Sequence, residues 1–179
     1  MEAPSAVSSL PIPLDRDIFL RTLVRELAGV LEDVVGYAEA SGYVSLVGQN
    51  VGEWINETYK KAWGVSTLSR EQVVEVLVDL KARIQGAFSV VSQDDGRIVL
   101  DNDACPFGDK VQDRASMCMM TSNVFGLIAA ENLGYAKVVI EQSLAKRDMK
   151  CRVVVYLKTS PEAESADGRE YFRAEADDQ

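Results

Sequence analysis

Between Pro13 and Pro106 the chain contains no proline. Proline in a helix interior removes a hydrogen bond and clashes with the preceding turn, so this gap leaves room for long helices. Apolar residues fill it at helical spacing. Asp15 or Asp17 suits an N-cap, and from Phe19, Leu20, Leu23, Val24 and Leu27 to Val34, Val35 and Ala38 one broad face repeats. Gly29 and Gly36 weaken this first helix, and Ser41-Gly42 is expected to end it. A second stripe runs through Val44, Val47, Val51, Trp54, Ile55, Tyr59 and Ala62, and Gly64 stops it. Within it Gly48 and Gly52 lie one turn apart, which permits close approach by another helix. Ser69 and Gln72 form a capping-box pattern ahead of a third helix, whose core stripe is Val73, Val76, Leu77, Leu80 and Ile84. The first face either covers the domain's own core or forms a dimer seam.

After Gly86 the period changes from helix to strand. Phe88 to Val91 and Arg97 to Leu100 flank Asp95-Gly96, a strong hairpin signal. A helix is expected from about Val111 to Asn132, apolar nearly all round and therefore buried. Tyr135 to Leu144 and Met149 to Lys158 predict a second hairpin across Ala145-Lys146-Arg147-Asp148. The expected fold class is α/β in the α+β sense: an N-terminal helical layer on a small, mostly antiparallel sheet, in the order α-α-α-β-β-α-β-β.

A chain of 179 residues, 47% of them hydrophobic, can bury one sizeable core. Residues 1–13 hold three of the five prolines and are expected to form a flexible arm, with a single domain over 14–158. Residues 161–179 carry seven acids and two arginines, and the segment 159–179 is expected to be a disordered acidic tail. The net charge of −9 and the lack of a clustered basic patch argue against nucleic-acid binding. No apolar run is long enough to span a membrane, and Met1 to Pro13 lacks the features of a secretory signal, so a cytoplasmic location is expected. There are no histidines, which removes a His-based triad or an imidazole metal site within the chain.

The three cysteines occupy junctions. Cys105 follows Asp101-Asn102-Asp103-Ala104 in a loop, twelve residues intervene before Cys118 on a helical pattern, and 32 more intervene before Cys151, which opens a strand. In a reducing compartment an odd set of thiols does not make a disulfide framework. Three thiolates plus an oxygen donor, for which Asp101, Asp103 and Asp109 are near in sequence, suit zinc or an iron–sulfur cluster. There is no tight Cys-x-x-Cys pair, and Cys118 and Cys151 also fit as small buried hydrophobes. A cysteine hydrolase or reductase is the rival, with Cys105 activated by a lysine, a carboxylate or a helix start. Trp54, Tyr59, Phe88 and Phe125 are core residues that could also line an apolar pocket.

The runs Asp101-Asn102-Asp103-Ala104-Cys105-Pro106-Phe107-Gly108, Cys118-Met119-Met120-Thr121-Ser122-Asn123, Asn132-Leu133-Gly134-Tyr135-Ala136 and Cys151-Arg152-Val153-Val154 resemble the methanogen output domain of signal-transduction proteins. More distantly the chain is similar to vinyl-4-reductase-like sensor domains and to the cluster-binding half of iron–sulfur repressors. The resemblance implies an α/β sensor fold, a homodimer built on N-terminal helices, and a metal site on Cys105, Cys118 and Cys151. Residues 1–85 show no basic recognition helix, and no kinase segment is evident, so a signal is expected to leave through protein partners. The resulting expectation is a non-enzymatic sensory or regulatory module. It would respond to redox or metal state, or to a small apolar ligand.

Overall fold

A computed structural model describes residues 10–174. Helix α1 (Arg16–Trp63) carries the proline-free N-terminal region and α2 (Arg70–Arg83) follows it. Strands β1 (Phe88–Gln93) and β2 (Arg97–Asn102) form the first hairpin. Two 3₁₀ turns at Gly108–Val111 and Ala115–Met117 lead into α3 (Cys118–Leu133), then β3 (Tyr135–Gln142), β4 (Cys151–Tyr156), α4 (Pro161–Ser165) and β5 (Arg169–Phe172). The five strands form one sheet in the order β1-β2-β4-β3-β5, every pair antiparallel. The expected α+β class and both hairpins are present.

The two expected helices abut within α1, and the break between them is displaced. The chain stays helical through Ser41-Gly42, and the interruption falls at Gly36, with φ 82° and ψ 163°. That region of backbone space is open essentially to glycine alone, so Gly36 marks the kink. Asp15 caps the start, accepting from the Ile18 N–H at 2.8 Å, and Gly64 closes the end in a left-handed conformation. The capping box of α2 forms with Ser69 and Gln72 in their expected roles. Helix α3 starts at Cys118 rather than near Val111, because Asp113 takes φ 59° and splits the approach into two short turns.

Helix α3 is the centre of the fold. It is buried from Ser122 to Ala130, between the sheet on one side and α1 on the other. The main core joins Phe125 and Ile128 of α3 to Val73, Val76 and Leu77 of α2 and to Ile98, Leu100, Val153 and Val155 of the sheet. Here α1 departs from its sequence pattern. Its buried residues are Ala28, Gly29, Ala40, Ser41, Ser45, Gly48, Gly52 and Asn56, all small or polar. The large residues of its expected core face divide: Val24, Val51, Ile55 and Tyr59 are half-buried and pack against the cores, while Phe19, Leu27, Val34 and Trp54 are exposed. The reason is the closeness of α3: a Cβ on Gly48 would lie 2.9 Å from the Asn123 Cβ and 3.2 Å from the Met120 Cα. Gly48 and Gly52 thus serve an approach within the chain.

The acidic tail also departs from expectation, since residues 161–172 are folded. Ala163 of α4 is buried against Val139, Val154 and Tyr156 on the outer sheet face. Strand β5 pairs with β3, and the Tyr171 hydroxyl meets the Ser122 Oγ at 2.9 Å. Its ring occupies the space a side chain at Gly126 would need, with ring atoms 2.1 Å from that Cβ position. Arg173 donates to the carbonyls of Glu131 and Asn132, both at 2.8 Å, satisfying the end of α3. Net acidity concealed three anchoring residues. Residues 1–9 of the arm and 175–179 of the tail lie outside the described residues.

Candidate functional site

The three cysteines line one cavity. Cys105 comes from the loop after β2, Cys118 from the first turn of α3 and Cys151 from the start of β4. Register explains part of this convergence: Asn102 pairs with Phe88 on one side and with Cys151 on the other, so β1, β2 and β4 end together at the cavity. The remaining walls are mostly apolar, among them Ile84, Phe88, Val111, Met117, Ile140 and Leu144, and the enclosed volume is about 70 Å³. The cavity lies where the main core meets a smaller cluster of Ala28, Val111, Met117 and Ala145, against which Cys105 and Cys118 also pack.

The thiols are individually held. The Cys118 Sγ lies 3.2 Å from the Ser143 Oγ, and the Cys151 Sγ accepts from the Leu144 N–H at 3.4 Å. Burial pushes the Cys105 thiol above its ordinary value and pushes Cys118 up to about 11. Both are therefore neutral thiols at pH 7, whereas a nucleophile needs its thiolate stabilised.

A residue that sequence reasoning passed over stands beside them. Lys81 of α2 lines the cavity and is only 6% exposed. Its ammonium donates to the Thr121 Oγ1 at 2.8 Å and lies 5.6 Å and 5.4 Å from the ring centres of Phe88 and Phe125. Burial pulls it down to about 8, with the three nearby thiols acting in the opposite direction. The signal was available: Lys81 lies four residues after Leu77, on the apolar stripe of α2. Of the four aromatic candidates, Phe88 lines the cavity, and Phe125 meets it edge-on at 5.3 Å. Trp54 and Tyr59 instead flank an open groove between α1 and α2.

The acidic residues expected to complete a metal site lie elsewhere. Asp101 is bound by Arg152, at 2.7 and 2.8 Å, and by Lys150, and these partners hold its carboxyl down at about 2. Asp103 and Asp109 are exposed and do not line the cavity. Among the described residues no three Cys, Asp or Glu side chains are grouped so as to hold a metal ion. The thiols share a space without forming a ready ligand set, and a buried ammonium in that space opposes a second cation.

One wall of the cavity is shared. Phe107, Met117 and Met120 also line an apolar groove on the other side, bounded by Val24, Leu27, Tyr43 and Val47 of α1. The N-terminal half of α1 is tied to this wall. Arg25 donates to the carbonyls of Lys110 and Gln112 at 2.6 and 2.7 Å, and Ser116 bonds to Glu32. Helix α1 thus contacts the segment between Cys105 and α3 directly.

No helix of the described residues is long and apolar enough to cross a membrane. Two solved structures share the fold. One is the trafficking protein particle complex subunit 3 from Naegleria fowleri, described as covalently bound to palmitic acid. It matches with a TM-score of 0.59 and 13% identity, over 88% of this chain and 98% of that one. The other is the phenol-responsive sensory domain of the transcription activator PoxR with phenol, with a TM-score of 0.60 and 14% identity, over 86% of this chain and 80% of that one. At these identities the likeness is one of fold. No curated protein sequence matches the chain. Methanogen output domain 1 matches over residues 23–156, a span that begins within α1, includes all three cysteines and closes at the end of β4. An output domain fits a role in signal transduction, and the chain belongs to the methanogen output domain 1 family.

Proposed function

We propose that this domain is a sensory module that registers a small, largely apolar molecule in the thiol-lined cavity and passes the change to α1. The observation that carries it is the shared wall: Phe107, Met117 and Met120 face the cavity on one side and the α1 groove on the other. A ligand that displaces them alters the seat of α1 directly. Packed interiors transmit such displacements because they have little free volume. The ligands named for the two structural neighbours, phenol and palmitic acid, are both largely apolar, which supports the same reading.

The output surface is the outer face of α1. Leu20, Leu27, Val30, Val34 and Leu46 are all exposed on this helix, and Val34 is 76% exposed. Several large apolar side chains exposed along one helix suit an association site. A homodimer through α1, or a protein partner in a signalling pathway, would cover it. A cytoplasmic setting keeps the thiols reduced.

A zinc or iron–sulfur centre on Cys105, Cys118 and Cys151 is favoured by one fact, that all three line the same cavity. It requires the sulfurs to gather and Lys81 to withdraw or lose its proton. Two measurements separate the readings. Anaerobic purification with metal analysis and a visible spectrum returns less than one-tenth of an equivalent of metal per chain if the cavity is a ligand site, and one zinc or one cluster if it is a metal centre. Thermal shifts with small alcohols, amides and monocarboxylates then show saturable stabilisation for a ligand site; no shift with any of them overturns it.

A further inference from the structure

Lys81 is a buried cation without a protein counter-charge. Its one hydrogen-bond partner is the neutral Thr121 hydroxyl, and among the described residues no carboxylate forms an ion pair with it. Asn102, the other strongly polar residue of the cavity, brings no charge, and its Oδ1 accepts from the Ala87 N–H at 2.8 Å. The thiols of Cys105 and Cys118 are held neutral by burial. An uncompensated charge in an apolar interior is costly and is normally paired. Here the cavity itself is the open side of the ammonium.

We propose that the cavity receives a short-chain monocarboxylate, its carboxylate seated on Lys81 and Thr121 and its alkyl part among Ile84, Val111, Ile140 and Leu144. The inference rests on the ligand-sensing function proposed above and narrows its ligand class. Three features of the site select it. There is one cation, so a single negative charge is matched and a dianion is not. The walls beyond Lys81 and Thr121 are mostly apolar and favour carbon over further polar atoms. The volume of about 70 Å³ is under half that of a cavity known to admit benzene, at about 150 Å³, so the guest has fewer heavy atoms than benzene, which means about two or three carbons besides the carboxylate oxygens. Lys81 belongs to α2 and Thr121 to α3, so the bound carboxylate would bridge two helices. The thiols are weak donors that tolerate the anion without competing for Lys81.

Isothermal titration at pH 7 tests this with acetate, propionate, butyrate and valerate, each set against its primary amide and its alcohol. The expected result is one carboxylate per chain, with an optimum chain length, bound about tenfold or more tightly than the amide of the same length, as a charge-assisted hydrogen bond requires. Lys81→Met is expected to erase the acid-over-amide preference while keeping alcohol binding. The wild-type comparison stands whether or not that variant folds. If amides or alcohols bind as well as the acids, or bind where the acids do not, the carboxylate proposal is overturned and the apolar-ligand function stands. If no member of the series binds at millimolar concentration, both are overturned.

Discussion

The two halves of α1, on either side of Gly36, are held in opposite ways. The C-terminal half lies on α3 through Gly48 and Gly52, at a separation that admits no side chain, and it covers the main core. The N-terminal half lies on the Cys105 loop and the 3₁₀ turns. It is held by Arg25 on two carbonyls, by Glu32 on Ser116, and by the small cluster around Ala28 and Met117. Close backbone packing has few alternative arrangements. Polar straps over a small cluster can release and re-form at modest cost. The N-terminal half is therefore the more loosely strapped of the two, and both halves border the groove behind the cavity wall, Val24 and Leu27 before Gly36 and Tyr43 and Val47 after it.

Substitutions can break this contrast or sharpen it. The largest effect belongs to Gly48→Leu, whose new side chain meets the α3 backbone. It should cost about 3 kcal/mol in urea unfolding, the upper end for overpacking; a loss under about 0.5 kcal/mol would mean that the two helices are not rigidly seated. Lys81→Met acts in the other direction. Removing an unpaired buried ammonium should raise stability at pH 7 by about 1–3 kcal/mol, and a decrease would show that the protein itself compensates the charge. Arg25→Ala comes next, with about 1 kcal/mol lost from two hydrogen bonds of a charged donor. Its signature is local: amide exchange accelerates over residues 106–117 and not in α3. Equal acceleration in both would remove the distinction between the halves. Val34→Lys should leave stability within about 0.5 kcal/mol, as an exposed site does. It should also weaken any self-association seen by light scattering.

The pH dependence carries the same signature. The Lys81 ammonium loses its proton near pH 8 in the folded chain but only near 10.5 when unfolded, so the unfolded state binds more protons between those values and stability rises with pH. Cys118 has the opposite sense. Its folded thiol keeps its proton to about 11 against 9.0 unfolded, so stability falls over that interval. Unfolding free energy should climb from pH 8 to 9 and flatten or turn above 9. Lys81→Met should abolish the climb, and Cys118→Ser should extend it.

Much of the framework was legible in the residues. Capping at Asp15 and Ser69, the Asp95-Gly96 turn and the buried α3 all follow from local chemistry. The convergence of Cys105, Cys118 and Cys151 on one cavity was also foreseeable, since each stands at an element junction. Three features were hidden, each because tertiary context overrode pattern. On α1, hydrophobicity found only part of the buried face, because a close helix contact selects small residues, so Val24, Val51 and Ile55 pack at its margins and Leu27 and Val34 stay exposed. In the tail, net charge suggested disorder, while Tyr171, Arg169 and Arg173 anchor it to α3, Ser45 and the sheet edge. Lys81 was masked by its residue type, since lysine on a helix is ordinarily solvated.

The account depends on the wall formed by Phe107, Met117 and Met120 being a two-sided element. Methionine methyl resonances report on it directly, because Met117 and Met120 belong to the wall and Met149, at 97% exposure, is a built-in control. In a ¹³C-methyl spectrum titrated with propionate and with 1-propanol, Met117 and Met120 should shift together and saturably with at least one of the two while Met149 stays in place. If neither compound moves Met117 or Met120, the cavity is not a sensing site and the link to α1 is contradicted.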